Sequence, residues 1–163
     1  MSTQINSIIN CLGKSLKTEI KSIAISKVTI LDVSNIEILK QKSKQVICLG
    51  VKRLFILQGD LKRLLEYIDY EEIEGLEIDN KNYEIFTIWL KGPSIGSRHK
   101  IKRIIVQARY RGVLIKNMIC YYSIYYQLTY GEIRDIKLAI TNYDNQEEIK
   151  EKLGIKKGLS RIY

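Results

Sequence analysis

The sequence predicts a mainly β domain, an antiparallel β-sandwich or partly open barrel with a short C-terminal helix. Three observations carry that expectation. Five segments, 20–33, 45–57, 83–91, 100–111 and 113–130, are dense in Ile, Val, Tyr, Thr and Phe, which suit a pleated, half-buried surface. Turn chemistry falls between them, at Asp79-Asn80-Lys81-Asn82, Gly92-Pro93-Ser94, Gly96-Ser97 and Gly112. At 163 residues the chain has the length of one domain and can bury roughly 70% of its unfolded surface.

A single domain over 1–163 is therefore expected, with a β core over about 19–142 and a short helix and tail over 144–163. "EIKSIAISKVTILD" and "QVICLGVKRLFIL" open the β region, for which about seven to nine strands are expected. The stretch "KRLFILQGDLKRLLEYID" at 52–69 is ambiguous. Leu61, Leu64, Leu65 and Ile68 fall at helical spacing behind Asp60, a competent N-cap, while the apolar content also suits a strand. In "KIKRIIVQARYR", Lys102, Ile104, Val106, Ala108 and Tyr110 alternate with Ile101, Arg103, Ile105, Gln107 and Arg109, which is strand periodicity. "VLIKNMICYYSIYYQLTY" reads as a further strand, with Tyr122 and Tyr126 on one face and Tyr121 and Tyr125 on the other. Near the end, Asn145 three residues before Glu148 makes a capping box and Gly154 a C-cap, which marks the helix. The expected core includes Leu54, Ile56, Ile85, Ile88, Ile105, Val106, Ile119 and Ile124.

The net charge of +9 points to nucleic acid, anionic lipid or an acidic protein as partner classes. Its distribution is uneven. Nine acidic residues lie between Asp60 and Glu84, and none lies from Lys91 to Gly131. That second stretch holds Arg98, Lys100, Lys102, Arg103, Arg109, Arg111 and Lys116. No uninterrupted apolar run approaches the ~18 residues of a bilayer span, so no membrane span is expected. "MSTQINSIINCLGKSLKTE" has no cationic segment followed by an apolar one, which leaves the cytoplasm as the expected compartment.

Catalytic signatures are missing. Cys11, Cys48 and Cys120 are dispersed and His99 is the lone histidine, a pattern of buried thiols rather than of a zinc site or a nucleophile–base pair. Glu71-Glu72 and the alternating Glu77 and Asp79 fit a solvated face better than a carboxylate pair. No GxxxxGK[ST] or GxGxxG loop cradles a phosphate. No enzyme activity, metal or cofactor is expected. The binding candidates are Trp89, Arg98, Lys100, Lys102, Arg103, Arg109, Arg111, Tyr121 and Tyr125. Aromatic side chains anchor protein interfaces, and aromatics interleaved with cations also stack bases and grip phosphates. The residues leave two functions open: a structural or protein-binding module, and a basic nucleic-acid-binding domain using 98–130.

The stretch at 52–69 resembles the repeated domain of SipL-like spore-coat morphogenesis proteins of spore-forming Firmicutes, in which a long strand reads approximately "KKLIIEGKINQKIEYVA". The agreement lies in the Lys-Arg-Leu start, Gly59 and the close at Glu66, Tyr67 and Ile68. "EIFTIWLKGP" at 84–93 is similar to the family's "PFSTFIVLPE", with Glu84 in place of its proline, and the resemblance covers roughly residues 19–128. It implies a small all-β module without catalytic residues that helps to assemble protein layers around the developing spore. Its setting would be the mother cell or the spore surface. Its partners would be other coat or envelope components, or further copies of itself. The family pattern also implies that 61–68 is strand and that Gly59 marks a bulge or a close approach of backbones.

Overall fold

Apolar alternation along the chain resolves into eight strands and one long helix in a computed structural model that describes residues 24–33, 44–91 and 103–141. The strands are β1 (Ala24–Val33), β2 (Gln45–Leu49), β3 (Arg53–Gln58), β4 (Leu64–Asp69), β5 (Ile73–Asp79), β6 (Ile85–Leu90), β7 (Arg103–Gln107) and β8 (Leu138–Thr141). The helix, α1, is Arg111–Tyr130, and a single 3-10 turn, Tyr70–Glu72, joins β4 to β5. The expected C-terminal helix at 145–154 lies outside the described residues.

The strands form one sheet in the order β4-β3-β2-β1-β7-β6-β5-β8. β1 belongs to both halves: Ala24–Val28 pair with β2, while Thr29, Ile30, Asp32 and Val33 pair with β7, with a bulge between Ile30 and Asp32. At this changeover the Ile30 N–H is satisfied by the Gln45 side chain, whose Oε1 accepts from it at 3.0 Å. A three-residue turn connects β4, at one end of the order, with β5, next to the other end, so the sheet must curl back toward itself. The mainly β class stands, and the partly open barrel describes the curl. All pairings are antiparallel except that of β8, which runs parallel to β5. The reason is that α1 carries the chain back before β8 begins.

Both halves turn one face to a single core. Val28, Ile47, Leu54, Ile56 and Ile68 contribute from the first half, Leu76, Phe86, Ile88, Ile104 and Val106 from the second. α1 covers this face with Leu114, Ile115, Met118, Tyr122, Tyr125 and Tyr126. Of the expected core, Leu54, Ile56, Ile88, Ile105 and Val106 are buried, Ile85 and Ile119 are half-buried, and Ile124 is exposed. Ile124 departs because 113–130 is helix rather than strand, and helical phase carries it away from the core.

Residues 61–68 are strand from Leu64 onward, as expected, but the strand does not run through Gly59. β3 ends at Gln58, and a tight connection follows in which Leu61 N–H donates to Gln58 O at 2.8 Å and Gln58 N–H to Arg63 O at 2.9 Å. Asp60 does cap, though in a turn: its Oδ1 accepts from Lys62 N–H at 3.0 Å. Gly59 is a close approach of backbones, since a Cβ there would sit 2.4 Å from the Lys44 carbonyl oxygen.

Gly112, expected as a turn, is the second residue of α1. A Cβ there would meet nothing within 4 Å. Gly112→Ala should therefore stabilise the protein by about 0.4–1 kcal/mol through loss of unfolded-state freedom. An upward shift of the urea midpoint without a change of slope would register it.

Candidate functional site

α1 has unusually little charge for a surface helix. Its core face follows a 3.6-residue period, and Gly131 closes it in the left-handed conformation (φ 67°) while Glu132 N–H returns to Tyr126 O at 3.3 Å. On the opposite side Cys120, Ile124 and Leu128 follow one another at four-residue spacing, with Val113 one heptad before Cys120. All four are exposed, Leu128 at 75%. No charged residue occurs anywhere in 117–131. A helix that faces water normally carries a charged or strongly polar outer face, and an exposed apolar line marks contact with something else. Two further apolar exposures follow: Ile133 at 91%, and Leu138 with Ile140 on the alternate positions of β8.

The residues singled out from the sequence are placed differently from expectation. Trp89 is no exposed anchor: it is 5% exposed on β6, directly across from Arg103, whose guanidinium carbon lies 5.8 Å from its ring centre. Tyr125 is buried as well, with its ring edge-on to Tyr70 at 5.9 Å and to Tyr126 at 5.2 Å. Tyr121 is half-buried against the core. The strand alternation that separated Tyr122 and Tyr126 from Tyr125 is replaced by helical phase, which groups all three inward. Arg109 is exposed, with its guanidinium 5.6 Å from the Tyr110 ring centre. Lys116 is exposed on α1. Arg98, Lys100, Lys102 and His99 lie outside the described residues.

Arg111 binds the protein's own backbone. Its Nη1 donates to the carbonyls of Asp79, Asn82 and Ile85 at 2.7, 2.9 and 2.8 Å, which fastens the start of α1 to the β5–β6 turn. Burial lowers its pKa, and the nearby Asp79 carboxylate opposes that. In the same turn Asp79 Oδ1 accepts from the N–H groups of Lys81 and Asn82 at 2.8 and 2.9 Å. The acidic and basic regions thus meet here within one molecule. Glu71 accepts a hydrogen bond from the Tyr130 hydroxyl, so Glu71 and Asp79 both have structural bonds.

Cys48 is buried, and burial pushes its thiol up to about 12. Cys120 departs from the expectation of buried thiols, because helical phase turns it outward. Cys11 lies outside the described residues. Among the described residues no group of His, Cys, Asp and Glu is placed to hold a metal ion. No helix among them is long and apolar enough to cross a membrane.

No family model matches the chain, and no curated protein matches it. Among solved structures it is similar to the hSac2 domain of the human phosphoinositide phosphatase Sac2. That match has a TM-score of 0.50 at 10% identity and covers 86% of this chain and 88% of that one. A second similarity is to the complex of the FERM and C-terminal domains of Drosophila Merlin. There the TM-score is 0.46 at 15% identity, with 68% of this chain covered but only 32% of that chain. At such identities the hSac2 likeness concerns the fold alone: a curled, mainly β sheet packed against one long helix.

Proposed function

We propose that this chain is a non-catalytic protein-interaction module that docks a partner protein, or a second copy of itself, through the outer line of α1. The observation that carries the reading is the exposed series Cys120, Ile124 and Leu128 within an uncharged stretch of a chain whose net charge is +9. Apolar anchors that are dehydrated on binding supply most interface energy. The setting, assembly of a spore coat or envelope, rests on the resemblance of 52–69 and 84–93 alone. Transcription confined to sporulation would agree with it.

Tyr125 and Trp89 are buried and Arg111 is bound to carbonyls, which leaves the nucleic-acid reading little of its aromatic and basic set among the described residues. The test is sedimentation velocity on the wild-type protein and on Ile124→Asp/Leu128→Asp. Association should survive at physiological ionic strength, where exposed charges are screened beyond about 8 Å. The double variant should lose association and, at concentrations low enough for the wild type to be monomeric, match its melting temperature, because both side chains are solvated in the free chain. Absence of association in the wild type, together with tight binding of random DNA or RNA oligomers at the same ionic strength, would replace this reading with the nucleic-acid one.

A further inference from the structure

The changeover of β1 between the two halves of the sheet leaves an opening. β7 ends at Gln107, opposite Thr29, and the N-terminal half of β1 continues beyond it with β2 as its partner. Between that half of β1 and the segment leading into α1 lies a cleft of about 1000 Å³. This is at the upper end of the range for pockets that take small organic ligands, roughly 300–1,000 Å³.

Its walls have two characters. Lys27, Lys44 and Arg109 line it with cationic side chains, and all three are exposed. Among the described residues no carboxylate forms an ion pair with any of them. Glu84, a carboxylate on the lining, instead accepts a hydrogen bond from the Gln107 side chain at 3.2 Å. The first turn of α1 adds to the positive field: it contains no acidic residue, and its N-cap, Tyr110, provides no side-chain cap. The N–H groups of a helix start carry partial positive charge and favour anions. The rest of the wall is apolar or aromatic, with Ile25, Val113 and the ring of Tyr110, which is 68% exposed.

We infer that this cleft binds a soluble phosphorylated small molecule. The phosphate oxygens would lie among Lys27, Lys44 and Arg109, and an apolar or planar body would lie against Tyr110 and Val113. Three cations around one concavity, with no carboxylate partner among the described residues, favour a ligand of several negative charges, which a single carboxylate does not supply. The exposed Tyr110 ring offers a stacking surface that a bare oxyanion would leave unused. The cleft and the outer line of α1 share only Val113, since none of Cys120, Ile124 and Leu128 lines the cleft, so separate variants test the two.

Calorimetric titration with pyrophosphate and with ATP, each without metal, tests the inference. Both should bind, ATP more tightly, and Tyr110→Ala should remove most of the difference between them. Each of Lys27→Ala, Lys44→Ala and Arg109→Ala should weaken pyrophosphate by roughly 10-fold, as expected for loss of one charge-assisted contact. These side chains are exposed, so the unliganded variants should keep the wild-type melting temperature, and a given ligand concentration should raise that of the wild type more than that of each single alanine variant. Ile124→Asp/Leu128→Asp should bind pyrophosphate like the wild type. Failure of the wild type to bind either probe, or undiminished binding by the triple alanine variant, would overturn the inference. So would adhesion to phosphatidate-containing vesicles that free pyrophosphate and ATP do not displace.

Discussion

Tyr70→Ala should destabilise the protein by about 3–5 kcal/mol, the range for removing a buried aromatic side chain. Tyr70 is 1% exposed in the turn that carries the chain from β4 to β5, so it sits where the two ends of the curled sheet approach. Its ring meets Tyr125 of α1 edge-on, and its hydroxyl donates to the Gly50 carbonyl at 2.5 Å in the β2–β3 connection. One side chain thus ties the 3-10 turn, the helix and a hairpin. Tyr70→Phe keeps the ring but leaves the Gly50 carbonyl without this donor, and should cost about 1–2 kcal/mol. Urea unfolding of the two variants separates packing from hydrogen bonding. A loss below about 1 kcal/mol for Tyr70→Ala would show that the cavity is refilled.

The same phenols should make the fold sensitive to alkali. Burial raises the pKa of Tyr70 well above the ordinary phenol value and pushes Tyr122 up to about 12. The unfolded phenols ionise near about 10, so the stability tied to their neutral forms is fully present below that pH. It is lost as pH rises through the higher folded values. Unfolding free energy should fall steadily above about pH 10, and Tyr70→Phe should make that fall shallower.

Burial was legible for β1, β2, β3, β6 and β7, which carry their signal in composition and alternation, whereas β5 was not, because Glu77 and Asp79 read as a solvated face and are in fact buried. Ile104 and Val106 point to the core and Ile105 to the other face, as the interleaved sets of 100–111 imply. The long helix was obscured by propensity. Tyr, Ile and Val made 113–130 look like strand, yet Leu114, Ile115, Met118, Tyr122, Tyr125 and Tyr126 repeat every three or four residues. Length also carried a signal, since 18 consecutive residues exceed the usual 3–10 of a strand. Gly131, directly after Tyr130 at the end of α1, is a C-terminal helix signal of the ordinary kind.

The candidate site was hidden by the same misreading. As a strand, the segment presents Tyr121 and Tyr125 on one face, whereas the outward line of the helix is Cys120, Ile124 and Leu128. A helical projection of 111–130 finds it from sequence. The cleft beside β1 was not legible at all. Lys27, Lys44 and Arg109 are 17 and 65 residues apart along the chain, and only the changeover of β1 between sheet halves brings them to one opening.

Arg111→Ala should cost about 1.5–3 kcal/mol, since hydrogen bonds to a charged donor are worth more than neutral ones. Three carbonyls converge on its Nη1, and they come from both sides of the β5–β6 turn as well as its middle. The turn also has bonds of its own, from Lys81 and Asn82 N–H to Asp79 Oδ1, so it should keep its local shape when the guanidinium is removed. What is lost is the attachment of α1 to the second half of the sheet. Arg111→Lys distinguishes charge from geometry: an ammonium group keeps the charge beside Asp79 but has no planar fork, and should recover only part of the loss. Native-state hydrogen exchange gives the sharper readout. In Arg111→Ala, protection should fall first for the amides of the initial turns of α1 and for Asn82 to Ile85, while the β2–β3 hairpin keeps wild-type protection. Uniform loss of protection across the sheet would show that Arg111 supports the whole fold, and the local latch would have to be abandoned.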